Sequence, residues 1–335
     1  MNVIVTGGLG FIGSHVVDGL LGAGHDVEII DSMIGAVTDG REYDAHARCI
    51  VHRVSINDYF ESGRDFSGAD RVIHAASLVG PAGILQYQGR LGGEIVAAAQ
   101  QVIDGCLEAG AQLCTFSSAE VYGRSGLLSE RDPIVVPAHY NARIEYAIAK
   151  TLTEAMTINS RAHGLECVVV RPFNVAGPRQ SRAGGFVLPT FVQQALDGIP
   201  LTVFAGGTQV RAFLAASELS RFVVDHLDAA FESGDAIFNL GNPDNAVSVW
   251  TLAERVVALL ESSSPLEHRD AREIHGPLYE EAESFEKLPV LGAAAAVGWQ
   301  PRLGLDDLIL ETAAFYRSHG DLRATGAGLG AAAGV

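Results

Sequence analysis

Tyr146 and Lys150 stand four residues apart in a segment, 144–163, whose apolar spacing predicts a helix, so both side chains share one face. An ammonium beside a phenol favours the phenolate, which brings a group that ordinarily ionises near about pH 10 within reach of neutral solution. The pair reads as a base for taking a proton from a bound hydroxyl. Tyr140 is a competing phenol, but the residue four positions on is Ile144, so it has no ammonium beside it. More reactive types close the apolar run 112–118: Ser117 and Ser118, followed by Ala119, Glu120, Val121, Tyr122 and Gly123. If that run is a parallel strand, its C-terminal end faces the crevice of the sheet, where Ser118 can donate to an oxygen beside the Tyr146 phenol. Glu120 adds a titratable group at the same mouth and is expected to be catalytic together with Tyr146, Lys150 and Ser118.

The elements that hold these groups begin at the N-terminus. A short apolar strand, Asn2 to Thr6, runs into Gly7-Gly8-Leu9-Gly10-Phe11-Ile12-Gly13, then a helix, a second strand from Asp26 to Ile30, and Asp31. Strand, glycine turn, helix, strand and acid in that order make the dinucleotide fingerprint, with Gly8, Gly10 and Gly13 at its spacing. The glycines let the backbone approach a pyrophosphate, and the helix N-terminus offers it free N–H groups. A carboxylate at Asp31 accepts from two ribose hydroxyls and repels a 2′-phosphate. Ser32-Met33-Ile34 supplies no arginine for such a phosphate, so the expected cofactor is NAD and not NADP.

Strands are expected at 49–52, at 71–74 (closed by Ala75-Ala76), at 112–118 and at 166–171 (broken by Pro172), with helices at 92–109 and 144–163. This alternation predicts an α/β fold with a Rossmann-type doubly wound parallel sheet. Beyond Pro172 the pattern loosens. Strands at 201–204, 211–214 and 237–240 and helices at 186–196, 218–231, 250–260 and 306–318 suggest a smaller C-terminal substrate-binding lobe. The expected division is 1–172 for the NAD-binding domain with the Ser/Tyr/Lys groups and 173–322 for the substrate lobe, partly interleaved. The Gly/Ala-rich tail, 323–335, is expected to be disordered.

A net charge of −17 argues against nucleic acid or an anionic membrane as partner, and requires any anionic ligand to be held by local donors. Cys49, Cys106, Cys114 and Cys167 show no paired spacing, so they read as small buried hydrophobes and not as metal ligands. No metal is expected. The chain enters a strand almost at once and shows no export signal, which suggests a cytoplasmic setting. His74 reads as a turn residue near the cofactor, His139 as a loop residue, Trp250 and Trp299 as packing residues, and Glu280, Glu281 and Glu283 as an acidic surface.

These residues carry a resemblance. The chain is similar to extended short-chain dehydrogenases/reductases, in their nucleotide-sugar epimerase/dehydratase/decarboxylase branch. The likeness runs through the glycine turn, His74-Ala75-Ala76, Ser118 with Val121-Tyr122-Gly123, and Tyr146/Lys150. It continues through Arg171-Pro172-Phe173-Asn174, Gly177-Pro178-Arg179, Leu201-Thr202-Val203-Phe204, Arg211, Gly241-Asn242-Pro243 and Gly298-Trp299.

The resemblance implies that Gly7, Gly10, Phe11, Ile12, Gly13, Asp31, Ile56, Ala75, Ala76, Ser117, Tyr146, Lys150 and Pro172 hold NAD. Tyr146 would take the sugar O4 proton as the C4 hydride passes to NAD⁺, Ser118 would bond the same oxygen, and Lys150 would hold the nicotinamide ribose. Ser118, Glu120, Asn174, Leu188, Val203, Arg211 and Lys287 would contact a nucleotide-sugar substrate. A homodimer through the helices 92–109 and 144–163 is implied as well.

For the reaction itself, the resemblance ranks epimerisation through a transient 4-keto sugar first and UDP-glucuronate decarboxylation second. Glu120, Arg143, Arg211 and Gly241-Asn242-Pro243-Asp244-Asn245 are decarboxylase-like, but Ala119 stands where those relatives have a serine. Dehydratases of the branch place an acid there, so 4,6-dehydration ranks third, and a non-catalytic NAD(P)-binding regulator is the remaining alternative. Relatives also place an arginine before the segment leading into Gly298-Trp299, where this chain has Lys287, a point charge without a fork.

Overall fold

The computed structural model describes residues 1–77, 84, 86–138, 140–270 and 286–320. The expectations placed on His139, on Glu280, Glu281 and Glu283 and on the 323–335 tail fall outside the described residues.

In chain order the strands are β1 (Asn2–Thr6), β2 (Asp26–Ile30), β3 (Cys49–His52), β4 (Arg71–His74), β5 (Gln112–Phe116), β6 (Gly126–Leu128), β7 (Cys167–Pro172), β8 (Val175–Ala176) and β9 (Leu201–Phe204). They continue as β10 (Val210–Ala212), β11 (Leu214–Ala215), β12 (Ile237–Leu240), β13 (Ala246–Ser248), β14 (Leu266–Arg269) and β15 (Glu286–Pro289). The helices used below are α1 (Phe11–Gly22), α2 (Ile56–Glu61), α3 (Leu91–Ala109), α4 (Ala142–Asn159), α5 (Val187–Asp197) and α6 (Ala216–Asp225).

Seven parallel strands form the main sheet in the order β12-β7-β5-β4-β1-β2-β3. This is the expected doubly wound arrangement. Its strand order reverses between β1 and β4, so the crevice at their C-terminal ends opens beside the glycine turn and Ala75-Ala76. Strands covered on both faces need apolar side chains on both, and Val3, Ile4, Val5, Val72, Ile73, Val168, Val169 and Val170 are all buried.

A second sheet, β13-β10-β15-β6, gathers short strands from four distant parts of the chain. Within it β10 pairs antiparallel with β13 and parallel with β15, which places Arg211 opposite Lys287. The end of β15 packs tightly on the main sheet. A Cβ at Gly241 would lie 2.5 Å from Pro289 Cγ and 3.0 Å from Phe173 Cβ, which explains the glycine at the head of Gly241-Asn242-Pro243. A separate apolar core joins α5, β9 and the helix Leu305–His319 through Leu188, Phe191, Val203, Leu308 and Ile309.

Several elements differ from expectation in instructive ways. The strand 237–240 forms, but it joins the main sheet beside β7. The helix expected over 218–231 is two, α6 and Leu227–Glu232, because the backbone at His226 leaves the helical region. The strand 211–214 divides at Phe213 into β10 and β11, which belong to different sheets.

Candidate active site

The glycine turn is built by exclusion of side chains. Gly7 has a φ of +73°, and a Cβ there would lie 2.7 Å from Ala76 Cα. At Gly13 a Cβ would lie 2.0 Å from the Gly7 carbonyl oxygen, so α1 can cross the turn only with glycine at that position. Gly10 precedes α1 without a side-chain cap, and the first turn, Phe11 and Ile12 included, carries no acid. Its N–H groups are thus left for an anion. Asp31 is buried, and its two oxygens accept from Leu9 N at 2.9 Å and Met33 N at 2.7 Å. Burial pushes its carboxyl up, while those backbone donors and Gly10 pull it back.

Ile56 opens α2 behind the Ser55 cap, Ala75 N donates to Thr6 O at 3.0 Å, and Pro172 ends β7 opposite Leu240. Ser117 Oγ is buried without a hydrogen-bond partner. A cradle that any side chain would fill, an uncapped helix start and an orphaned buried hydroxyl fit a dinucleotide.

At the other end, Asn141 caps α4, its side-chain oxygen accepting from Arg143 N and Ile144 N at 3.0 Å each. This fixes Tyr146 in the second turn, buried beside Ser118. Tyr140, by contrast, is 78% exposed. Burial pushes the Tyr146 phenol up, the Ser118 hydroxyl beside it pulls it down and the Glu120 charge raises it again.

The lowering by Lys150 expected from the helical spacing is therefore not the governing effect in the protein alone. The Lys150 ammonium lies 5.9 Å from the Tyr146 ring centre and donates to Phe116 O at 2.9 Å. Burial brings Lys150 itself down to about 8, against the opposing pull of Glu154. His74 is the last residue of β4 and not a turn residue. It is buried with its Nδ1 2.7 Å from Thr6 Oγ1, and burial together with the Lys150 charge drives it down to about 3.

Glu120 follows the Ser118 cap of the short 3₁₀ turn Ala119–Tyr122. Its Oε1 is 2.5 Å from Lys287 Nζ and 4.0 Å from an Arg143 nitrogen. Burial would raise this carboxyl, but the charges of Lys287, Arg143 and Arg211 and the Lys287 hydrogen bond bring it down to about 2. A carboxylate so held is a poor proton acceptor and serves as an anchor for cations. Burial in turn lowers Lys287 and Arg211, which the Glu120 charge opposes.

Arg143 was marked in the sequence only as a decarboxylase-like position, and the structure adds it to this cluster. Asn174 takes a left-handed φ of +40°, with its side chain donating to Ala212 O at 3.3 Å. Leu188 and Val203 point into the second core, so only their backbone is left to meet a ligand. Among the described residues no group of three or more His, Cys, Asp or Glu is placed to hold a metal ion. Cys106 and Cys114 are buried thiols pushed up to about 12.

The family profile described as NAD dependent epimerase/dehydratase matches residues 3–241. The chain belongs to that family. It is thus an NAD-dependent enzyme, as the glycine turn and Asp31 led us to expect. It is 27% identical to the UDP-N-acetyl-alpha-D-glucosaminuronate decarboxylase of Bacillus cytotoxicus, over 94% of this chain and 97% of that one. It is 28% identical to a UDP-D-apiose/UDP-D-xylose synthase of Oryza sativa subsp. japonica, over 95% and 89%. Among solved structures, UDP-N-acetylglucosamine 4-epimerase from Methanobrevibacter ruminantium M1, in complex with UDP-N-acetylmuramic acid, superposes with a TM-score of 0.81. That likeness, at 24% identity over 95% of this chain and 98% of that one, speaks for the fold. No helix among the described residues is long and apolar enough to cross a membrane.

Proposed function

We propose that this member of the family epimerises a nucleoside-diphosphate sugar at C4 through a transient 4-keto intermediate. The observation that carries the reading is the inventory of proton-handling groups at the sugar end. The Ser118 hydroxyl lies beside the buried Tyr146 phenol and lowers it, Ala119 is a buried methyl, and Glu120 is held ionised by Lys287. Epimerisation at C4 needs only the first pair. Dehydration needs an acid where Ala119 stands.

Bound NAD supplies the hydride acceptor for sugar C4 and returns the hydride later in the cycle. Tyr146 takes the O4 proton, and Ser118 donates to the same oxygen and steadies it. Lys150, placed by Phe116 O, supplies the nearby positive charge that favours the phenolate. Arg211 and Lys287, register partners in the second sheet, face the anionic part of the substrate with Arg143.

A second reading, decarboxylation of a nucleoside-diphosphate uronate, is favoured by the three cations set around the single carboxylate of Glu120, and the names of the relatives support it. Incubation with UDP-glucose, UDP-N-acetylglucosamine and UDP-glucuronate separates the two. A product of unchanged mass with inverted C4 means epimerisation, and release of CO₂ means decarboxylation; no conversion of any of them, with bound NAD left oxidised, sinks both. The same proposal includes a cytoplasmic setting and a homodimer through α3 and α4. Ile148 and Leu152, one turn apart on α4, are 39% and 47% exposed and would be covered by it. A monomer in sedimentation would remove that part.

A further inference from the structure

Behind the groups discussed so far lies a line of buried polar residues with no role in the proposed chemistry. Glu154 sits one helical turn past Lys150 on α4. Arg171, on β7, donates from Nε and Nη2 to its two carboxylate oxygens at 2.8 and 2.6 Å. Only 2% of the Arg171 side chain and 4% of the Glu154 side chain are exposed, so the pair is removed from water.

The guanidinium carbon of Arg171 lies 4.8 Å from the centre of the Tyr122 ring, and its Nη1 has no hydrogen-bond acceptor, which leaves the π face as its partner. The Tyr122 hydroxyl donates to Asn239 Oδ1 at 2.7 Å. Asn239, the register partner of Arg171 on β12, donates from Nδ2 to Leu128 O at 3.0 Å and to Val290 O at 3.2 Å.

Each end of this line touches an element that carries a reacting or binding group. Glu154 belongs to the helix of Tyr146 and Lys150. Tyr122 closes the 3₁₀ turn that starts beside Ser118 and contains Glu120. Val290 follows the strand that delivers Lys287. A buried ion pair is weak evidence for stability, since apolar residues of similar volume often serve as well, but it tolerates few alternative geometries.

We propose that Glu154, Arg171, Tyr122 and Asn239 are positioning residues. Their line holds α4, the 118–122 turn and β15 in one register, and so sets the distances between Tyr146, Ser118 and the Glu120–Lys287 pair. The Glu154 charge also supports the proton on Lys150 against the effect of burial. The inference rests on the functional reading above for the roles of those groups, but the line itself can be tested without it.

The Tyr122→Phe variant keeps the ring and the core volume and removes only the bond to Asn239. With whichever of UDP-glucose, UDP-N-acetylglucosamine and UDP-glucuronate the wild type converts, kcat should fall by roughly ten- to a hundredfold at unchanged KM and unchanged bound NAD, as for a small misplacement of reacting groups. Amide exchange at 126–128 and 286–289 should quicken in the same variant. An unchanged kcat overturns the proposal.

The Glu154→Gln/Arg171→Met variant removes the pair without stranding either charge, and should move the alkaline limb of the pH–rate profile to lower pH. A folded double variant with the limb unmoved also overturns the proposal. If the wild type converts none of the three sugars, the functional reading falls. Exchange then decides the line alone, and unaltered exchange in Tyr122→Phe refutes it.

Discussion

The turn proposed to cradle the dinucleotide is one unbroken run, Gly7 to Gly13, whereas the groups proposed for the sugar come from positions 118, 120, 143, 146, 211 and 287. The first works through backbone N–H groups and the absence of side chains; the second works through charges and hydroxyls brought together by the fold. The first has little freedom, because a methyl at Gly13 would overlap the Gly7 carbonyl. The second has freedom to change its chemistry by single substitutions, as Ala119 and Lys287 illustrate. Relatives on one scaffold can thus share a cofactor and differ in reaction.

If the two ends are separable, damage to one should spare the other. Tyr146→Phe should lower turnover by about 10²–10⁴-fold while the protein still binds NAD; ordinary turnover would contradict the role given to the phenol. Gly13→Ala should instead remove NAD, and turnover with it, while leaving the sugar end folded. The overlap should cost about 1–3 kcal/mol of stability and eject NAD, read by thermal unfolding and by the cofactor content of purified protein. A variant that retains NAD at wild-type stability would break the argument for the turn.

Lys287→Met tests the sugar end more gently. Glu120 keeps Arg143 and Arg211 but loses its nearest cation, so its carboxyl should rise from about 2, and stability should fall by about 2 kcal/mol, less than for a fully buried pair. Carbon-detected titration of the side chain would reveal the rise, and an unmoved carboxyl would mean that the arginines hold it.

An effect confined to acid solution concerns His74, which belongs to neither end. It stays neutral in the fold down to about 3, while the unfolded chain takes up that proton below the ordinary histidine value of 6.5. The unfolded state therefore binds more protons between those values, and stability should decline as pH falls through that window, by about 2 kcal/mol at about pH 5. His74→Asn should flatten the acid side of a melting-temperature profile; an unchanged slope would assign it to other groups.

The contrast also explains what could be read from residues alone. The glycine turn, Asp31 and the helix of Tyr146 and Lys150 are local patterns, and they stand where expected. The strand 237–240 was legible as a strand, but nothing in Ile237-Phe238-Asn239-Leu240 announces β7 as its neighbour. β6 and β15 escaped notice because three paired residues carry too little alternation to register as strands.

The charge at Lys287 was visible, yet its pairing with Glu120 depends on a sheet joining positions far apart in the chain. The altered view of Tyr146 has a different origin. Helical spacing put an ammonium on the right face, but burial outweighs that proximity, and burial is a property of the whole fold.

β15 lies between β10 and β6 in the second sheet, and it comes from residues 286–289. During synthesis the glycine turn and its sheet neighbours emerge early, and domains begin to fold as their residues leave the ribosome. All seven strands of the main sheet are therefore synthesised before Lys287, so the proposed nucleotide cradle is complete in the chain before the proposed sugar end is.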